Sequence, residues 1–85
     1  MGIHAQEEIP LGIYRHYKGH YYKVLGIARH SETMEEFICY RALYYSSDWG
    51  NYPLWVRPKA MFLETVEKNG KKMTRFEYIR PSVNK

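Results

Sequence analysis

The chain has 85 residues, 16% of them aromatic, with one cysteine and a formal net charge of +4 at pH 7. This length fits one small domain, and the abundance of Tyr favours strands rather than helices. One cysteine excludes an internal disulfide, and no apolar run approaches the roughly 20 residues that a membrane-spanning helix needs.

The first predicted elements form a hairpin near the N-terminus. Residues 1–9 predict a flexible arm, and a strand is predicted to follow over residues 12–18. Lys18-Gly19-His20 predicts a tight turn in which Gly19 takes a positive φ angle. Residues 21–29, rich in β-branched and aromatic side chains, predict the second strand, and Gly26 predicts a bulge or sharp bend within it.

A polar segment follows the second strand and is the most informative feature of the sequence. Arg29-His30-Ser31-Glu32-Thr33 offers a guanidinium, an imidazole, two hydroxyls and a carboxylate, where a hairpin turn needs only Gly, Asn or Asp. This composition predicts a polar site. In the competing interpretation, Arg29 pairs with Glu32, while Ser31 and Thr33 bond to the backbone and shape the turn.

The third predicted strand, residues 36–45, is the most apolar part of the chain. Both of its faces carry apolar side chains, which predicts a central strand buried on both sides. Arg41 interrupts this pattern, and a buried guanidinium needs a carboxylate, a carbonyl group or a ligand as its partner. We predict an ion pair for Arg41. The candidate partners are Glu32, Glu35, Glu36 and Glu64.

The segment after the third strand predicts shorter elements. Residues 46–53 predict a loop that exposes Trp49 and Tyr52, and residues 54–57 predict a short strand. Residues 58–66 leave two alternatives open, a short helix or a turn followed by a strand.

The C-terminal part completes a mainly β domain over residues 10–80. Asn69-Gly70 is the strongest hairpin-turn signal in the chain, residues 74–79 predict the last strand, and residues 81–85 predict a flexible tail. About five short strands with tight turns and a glycine bend predict a small, strongly bent antiparallel sheet or an SH3-like barrel, with at most one short helical turn. An OB-like barrel is the second choice, because it usually needs more residues.

Several motifs, in a fixed order, give the chain a resemblance to a known family. They are Tyr14-Arg15-His16-Tyr17-Lys18-Gly19, residues 22–33, Tyr40-Arg41-Ala42-Leu43-Tyr44, Trp55-Val56-Arg57-Pro58, Met61-Phe62 and Arg75-Phe76. From Leu11 to Ile79, the sequence resembles a small bacterial family named domain of unknown function 1653. The resemblance implies a stand-alone cytoplasmic bacterial domain with an SH3-like fold and no known reaction. The loop before Trp55 is longer here than in that family.

Charged and aromatic residues near the strand ends are the candidate ligand-binding residues. Guanidinium groups bind carboxylate or phosphate in bidentate fashion, and aromatic rings beside Arg stack on single-stranded bases. The candidates are Arg15, His16, Arg29, His30, Glu32, Tyr40, Arg41, Trp55 and Arg57. Core packing is the stronger interpretation for Trp55. Because Arg15 and His16 project to opposite faces of a strand, they share a site only if the strand ends or bends there.

Catalytic and metal-binding patterns are absent from the sequence. Cys39 lies within an apolar strand, where a thiol is usually inert, and the histidines lack the spacing of metal ligands. His30, Ser31 and Glu32 are chain neighbours, whereas the members of a catalytic triad converge from different elements. We therefore predict no catalytic residue, no metal ligand and no cofactor.

Three functional hypotheses follow, in order of preference. The first is a non-enzymatic binding module for an anionic ligand, such as RNA, single-stranded DNA or a nucleotide-like molecule, which the mildly basic charge permits. The second is a protein-interaction module that binds a peptide or self-associates through a strand edge, as a monomer or weak homodimer. The third is a small hydrolase-like enzyme with His30 and Glu32 as acid and base. The expected location is the cytoplasm, with no membrane partner.

Overall fold

The computed structural model describes residues 9–82, and short strands make up most of its regular structure. In chain order, the elements are β1 (Gly12–His16), β2 (Tyr21–Arg29), β3 (Glu36–Ala42), β4 (Tyr45–Ser46), β5 (Gly50–Asn51), β6 (Leu54–Pro58), α1 (Lys59–Phe62), β7 (Thr65–Lys68), β8 (Lys71–Thr74) and β9 (Phe76–Arg80). The predicted mainly β class is confirmed. Helix α1 has four residues, and no helix within residues 9–82 is long and apolar enough to cross a membrane.

Five of the strands form one antiparallel sheet in the order β6-β3-β2-β1-β9. Two further pairs, β4-β5 and β7-β8, form separate two-stranded ribbons. Within residues 9–82 the five-stranded sheet does not close into a barrel, since β6 and β9 are its edges and do not pair with each other. The structure therefore confirms the small, bent antiparallel sheet.

The first hairpin follows the local rules predicted from its sequence. Gly19 has a φ angle of 109° in the turn, and the backbone N–H of His16 donates to the carbonyl of His20 over 2.8 Å. Between β2 and β3, the pairing register shifts between Val24 and Gly26, which is the predicted bulge. A bulge of this kind bends its strand and increases the twist of the sheet.

Strand β3 lies between β2 and β6, yet only one of its faces is buried. Its buried residues are Ile38, Tyr40 and Ala42, and its half-buried residues are Phe37, Cys39 and Arg41. The prediction of a strand buried on both faces is wrong, because the core cluster and α1 pack against the face that carries Tyr40.

The predicted loop of residues 46–53 contains the ribbon β4-β5. Trp49 and Tyr52 are exposed there, as predicted, with 66% and 53% of their surface accessible. Strand β3 ends earlier than predicted, because the chain bends at Tyr44 before it enters this ribbon. The ring of Trp49 also contacts the ring of Trp55, with 5.8 Å between centroids.

The segment after β6 contains both alternatives left open for residues 58–66, since α1 comes first and β7 follows it. Asn69 and Gly70 have φ angles of 54° and 80° and form the predicted hairpin turn between β7 and β8. The predicted last strand, residues 74–79, is divided between β8 and β9 at Arg75. The ribbon β7-β8 is thus a distinct hairpin that stands beside the main sheet.

The core lies on one face of the five-stranded sheet and is largely aromatic. Its buried side chains are Ile9, Tyr14, Val24, Ile38, Tyr40, Phe62 and Phe76. The rings of Phe62 and Phe76 stack with 4.1 Å between centroids, which joins α1 to β9. Ile9, assigned to the predicted arm, belongs to this core, while residues 1–8 of that arm and residues 83–85 of the predicted tail lie outside the described residues.

We predict that Gly12→Ala destabilises the domain by about 2 kcal/mol or more. Gly12 has a φ angle of 146°, and a Cβ atom there would lie 2.5 Å from the backbone oxygen of Arg80. Gly26→Ala is the matched control, because its Cβ would meet no atom within 4 Å. Urea unfolding of both variants measures the difference, and equal stabilities would contradict the close packing of β1 against β9.

Candidate functional site

An open groove of about 430 Å³ lies on the core side of the sheet, where β2, β3 and β6 meet the start of α1. The residues lining this aromatic groove are Tyr22, Tyr40, Tyr44, Trp55, Val56, Arg57, Pro58 and Met61. Strand register explains part of this set, because Tyr40 is directly opposite Trp55 and such pairs share one face of a sheet. Tyr22 joins them from β2, with its ring edge-on to Tyr40 at 5.4 Å.

The hydroxyl groups of the groove form a small polar network above the apolar ring bodies. Tyr22 and Tyr44 share a hydrogen bond of 3.1 Å between their hydroxyls. Burial, and then this hydrogen bond, raise the pKa of Tyr22 well above its ordinary value. The Tyr22 phenol is protonated at neutral pH, as an ordinary phenol is, and the raised pKa keeps it so at higher pH, so it can donate as well as accept. The ring of His20 packs on Tyr44 with 4.5 Å between centroids.

Arg57 is the charged residue of the aromatic groove. Its Nε donates to the Tyr40 hydroxyl over 3.2 Å, and its guanidinium lies 5.8 Å from the centroid of the Phe76 ring. No carboxylate within residues 9–82 forms an ion pair with Arg57, although the side chain is partly buried. Its two terminal nitrogens thus remain as donors that fit a planar anion.

His16 adjoins the groove at the end of β1. Its ring lies 4.9 Å from Phe76 and 6.2 Å from Tyr22, measured between centroids. Its Nδ1 accepts the backbone N–H of Lys18 over 3.1 Å. Burial, and then the positive charges of Arg57, Arg75, Lys18 and His20, together lower the pKa of His16 to about 4. At pH 7 the imidazole is therefore neutral, and Nδ1 is available as the acceptor of that bond.

The structure brings four of the predicted site residues together at this place. They are His16, Tyr40, Trp55 and Arg57. Sequence reasoning missed Tyr22 and Tyr44. Tyr22 had a usable signal, because it alternates with Val24 on β2 and shares the core face with Tyr40. Tyr44 had none, because a bend after β3, and not a strand, turns it toward the groove.

The polar segment after β2 is a self-contained turn outside the aromatic groove. Arg29 pairs with Glu36 at 3.2 Å and donates to the carbonyl of Met34. The predicted pairing of Arg29 with Glu32 is therefore wrong, because the glutamate opposite Arg29 in the strand register is Glu36. His30 Nδ1 accepts the backbone N–H of Glu32 over 3.1 Å.

A threonine hydroxyl completes the same turn. Thr33 Oγ1 accepts the backbone N–H of Glu35 over 3.2 Å, which is the kind of bond predicted for this residue. His30 Nδ1 also accepts the backbone N–H of Thr33 at 3.3 Å. The competing interpretation is therefore confirmed for Thr33, whereas within residues 9–82 no hydrogen bond of the Ser31 hydroxyl shapes the turn.

Arg41 and Arg15 lie on the other face of the sheet from the aromatic groove. Arg41 Nη1 donates to the carbonyl of Tyr52 over 3.0 Å, so its partner is a carbonyl group and the predicted ion pair is wrong. The side chain reaches the loop because Arg41 is only half-buried, on the face away from the core. Arg15 is exposed and lies opposite Glu77 of β9.

No three His, Cys, Asp or Glu side chains of residues 9–82 gather closely enough to hold an ion. Cys39 is a free, half-buried thiol in β3.

Most of the chain is similar to known proteins. A family described as "Protein of unknown function (DUF1653)" matches residues 12–78. The chain is also similar to the crystal structure of a DUF1653 protein from Bordetella bronchiseptica, with 34% sequence identity and a TM-score of 0.78. That similarity covers 93% of this chain and 96% of the other. No curated protein matches the chain.

We predict that His16 contributes to the pH dependence of stability. Its folded-state pKa of about 4 lies below the ordinary value of 6.5, so the folded state favours the neutral ring. This contribution is complete above pH 6.5 and is lost as the pH falls toward 4. The measurement is the free energy of unfolding of the wild type and of His16→Gln between pH 8 and roughly pH 4. The difference between the two proteins should shrink across that window, and a constant difference would contradict a neutral His16.

Proposed function

The chain belongs to the DUF1653 family of proteins of unknown function, as its motifs predicted, and we propose that it is a non-enzymatic binding module whose aromatic groove takes a nucleotide or a single-stranded nucleic acid. The observation that carries this proposal is the guanidinium of Arg57, which lies among aromatic rings with no carboxylate partner in residues 9–82. A partly desolvated cation without a counter-charge favours an anionic ligand.

The rings of the groove favour a ligand that combines this anion with a planar group. Bases stack on Tyr and Trp rings for about 1–3 kcal/mol each, and any base can do so because every base has a π face. Trp55 is half-buried and supplies the ring for stacking, while Tyr40 beside it is buried and supplies the hydroxyl that accepts from the Arg57 guanidinium. A base on the rings and a phosphate at the guanidinium would satisfy both features of the groove.

The electrostatic surroundings of Arg57 also favour an anion. His16 is neutral at pH 7, because burial and neighbouring positive charges hold its pKa at about 4. The Tyr22 phenol is neutral at pH 7, as an ordinary phenol is, and its raised pKa keeps it so. Neither group compensates the charge of Arg57, and the net charge of the whole chain is +4. Among the described residues that line the groove, Arg57 alone is charged, so the lining carries a net positive charge that favours anions.

The proposal contains no reaction. His30, the predicted acid or base, uses Nδ1 to accept the backbone N–H groups of Glu32 and Thr33 and does not line the aromatic groove. The proposed function therefore gives His30 and Glu32 no role as acid and base. Self-association also stays a prediction, although the edge strand β6 exposes Leu54 and Val56.

We predict that Arg57→Ala weakens binding of an eight-nucleotide oligouridylate by about tenfold, because a hydrogen bond to a charged group contributes about 1.5–3 kcal/mol. Arg57→Lys keeps the charge but lacks the planar guanidinium, so its loss of affinity should be intermediate. The measurement is fluorescence anisotropy of a labelled oligonucleotide at low salt, with amide NMR spectra to show that each variant is folded.

Arg29→Ala is the matched control for this test. It removes the same positive charge, but Arg29 is engaged by Glu36 in the turn after β2. We expect its affinity to stay within about twofold of the wild type. Equal losses of affinity in Arg57→Ala and Arg29→Ala would show that binding depends on the net charge of the protein and not on the aromatic groove. Binding that resists high salt would favour a peptide partner instead.

A further inference from the structure

A second groove, of about 780 Å³, lies between the end of β1, strand β9 and the ribbon β7-β8. Three basic residues line it, Arg15, Lys68 and Lys71, against one acidic residue, Glu77. Arg15 and His16 both line this basic groove, which is possible because β1 ends at His16. These two neighbours can therefore share a site, because the strand ends at this point.

The two faces of the ribbon β7-β8 carry different pairs of charged residues. Lys68 lies directly opposite Lys71 on the face that lines the basic groove, and like charges in this position repel. On the alternate face, Glu67 lies opposite Lys72, which is a favourable pair. Two unbalanced lysines directed at one groove are stabilised when an anion enters it.

Neither Arg15 nor Lys71 forms an ion pair with another residue of the described range 9–82. Lys68 donates to the carbonyl of Tyr17 over 3.3 Å, which holds the hairpin against the end of β1 and keeps its charge. Glu77 lies opposite Arg15 in the strand register but does not form an ion pair with it. The lining of the basic groove therefore has an excess of positive charge, and Arg15 and Lys71 are exposed side chains.

The basic groove and the aromatic groove meet at His16. This residue lines the basic groove, and its ring contacts Tyr22, which lines the aromatic groove. The buried ring of Phe76 contacts residues of both grooves, with the His16 ring at 4.9 Å and the Arg57 guanidinium at 5.8 Å from its centroid. A ligand that stacks beside Arg57 can thus continue past His16 toward Lys71.

We propose that the basic groove binds the phosphodiester backbone of the strand whose bases occupy the aromatic groove, so that the ligand is a single-stranded oligonucleotide and not a free nucleotide. This inference rests on the proposed function. RNA and single-stranded DNA share the backbone chemistry, and the comparison of the two strands below distinguishes them.

The experiment compares Lys71→Gln with Lys72→Gln, neighbours on β8 that remove the same charge from opposite faces of the ribbon. Affinity is measured for uridine monophosphate and for oligouridylate and oligodeoxyuridylate of increasing length, across a salt series. For an octanucleotide, Lys71→Gln should weaken binding about fivefold and reduce the slope of log affinity against log salt by about 0.7, the value for one phosphate contact. Lys72→Gln should stay within about twofold of the wild type.

Affinity of the wild type should also rise with length beyond one nucleotide. Tighter binding of one of the two octamers identifies the sugar that the protein prefers. Equal effects of Lys71→Gln and Lys72→Gln, or an octamer that binds no tighter than the monophosphate, would overturn this inference. Arg57→Ala then distinguishes a failure of this inference alone from a failure of the proposed function. If Arg57→Ala still weakens binding, the aromatic groove remains the binding site. If Arg57→Ala leaves binding unchanged, the proposed function fails as well.

Discussion

Both the core and the candidate site depend on the contacts that the ring of Phe76 makes. It stacks on Phe62 at 4.1 Å, which holds the short helix against the last strand, and it meets the rings of Tyr22 and Tyr40 edge-on. The Arg57 guanidinium lies 5.8 Å from its centroid. An open sheet of this size has only one face to bury, so the side chains that stabilise the fold also form the floor of the groove.

Tyrosine makes this double use of one face feasible. A Tyr ring can bury its body in a core while its hydroxyl remains in a polar environment. Tyr40 is 4% exposed and part of the core, yet its hydroxyl accepts from Arg57 at the groove. Side chains placed this way are held on several sides and lose little entropy when a ligand binds at the groove, which favours binding. The same sharing means that affinity and stability must be measured together in any variant of the groove.

Local chemistry made part of this fold predictable. The turn at Gly19, the bulge at Gly26 and the hairpin at Asn69-Gly70 each depend on backbone angles or pairing within a few residues, and all three were predicted. The partners of Arg29 and Arg41 were not, because they depend on the register between strands and on the path of a loop. Tyr40, Trp55 and Arg57 were recognised as candidates, but their convergence with Tyr44 required the bend after β3.

The central claim is that an anion meets Arg57 while a planar group stacks on the neighbouring rings. The most direct test is the NMR signal of the Arg57 Nε–H group, followed while a short single-stranded oligonucleotide is added, together with contacts between base protons and the Trp55 ring. The account predicts a progressive shift of that signal and direct base-to-ring contacts. A saturated complex in which the Arg57 signal stays fixed and the shifts gather around residues 29–36 would contradict it.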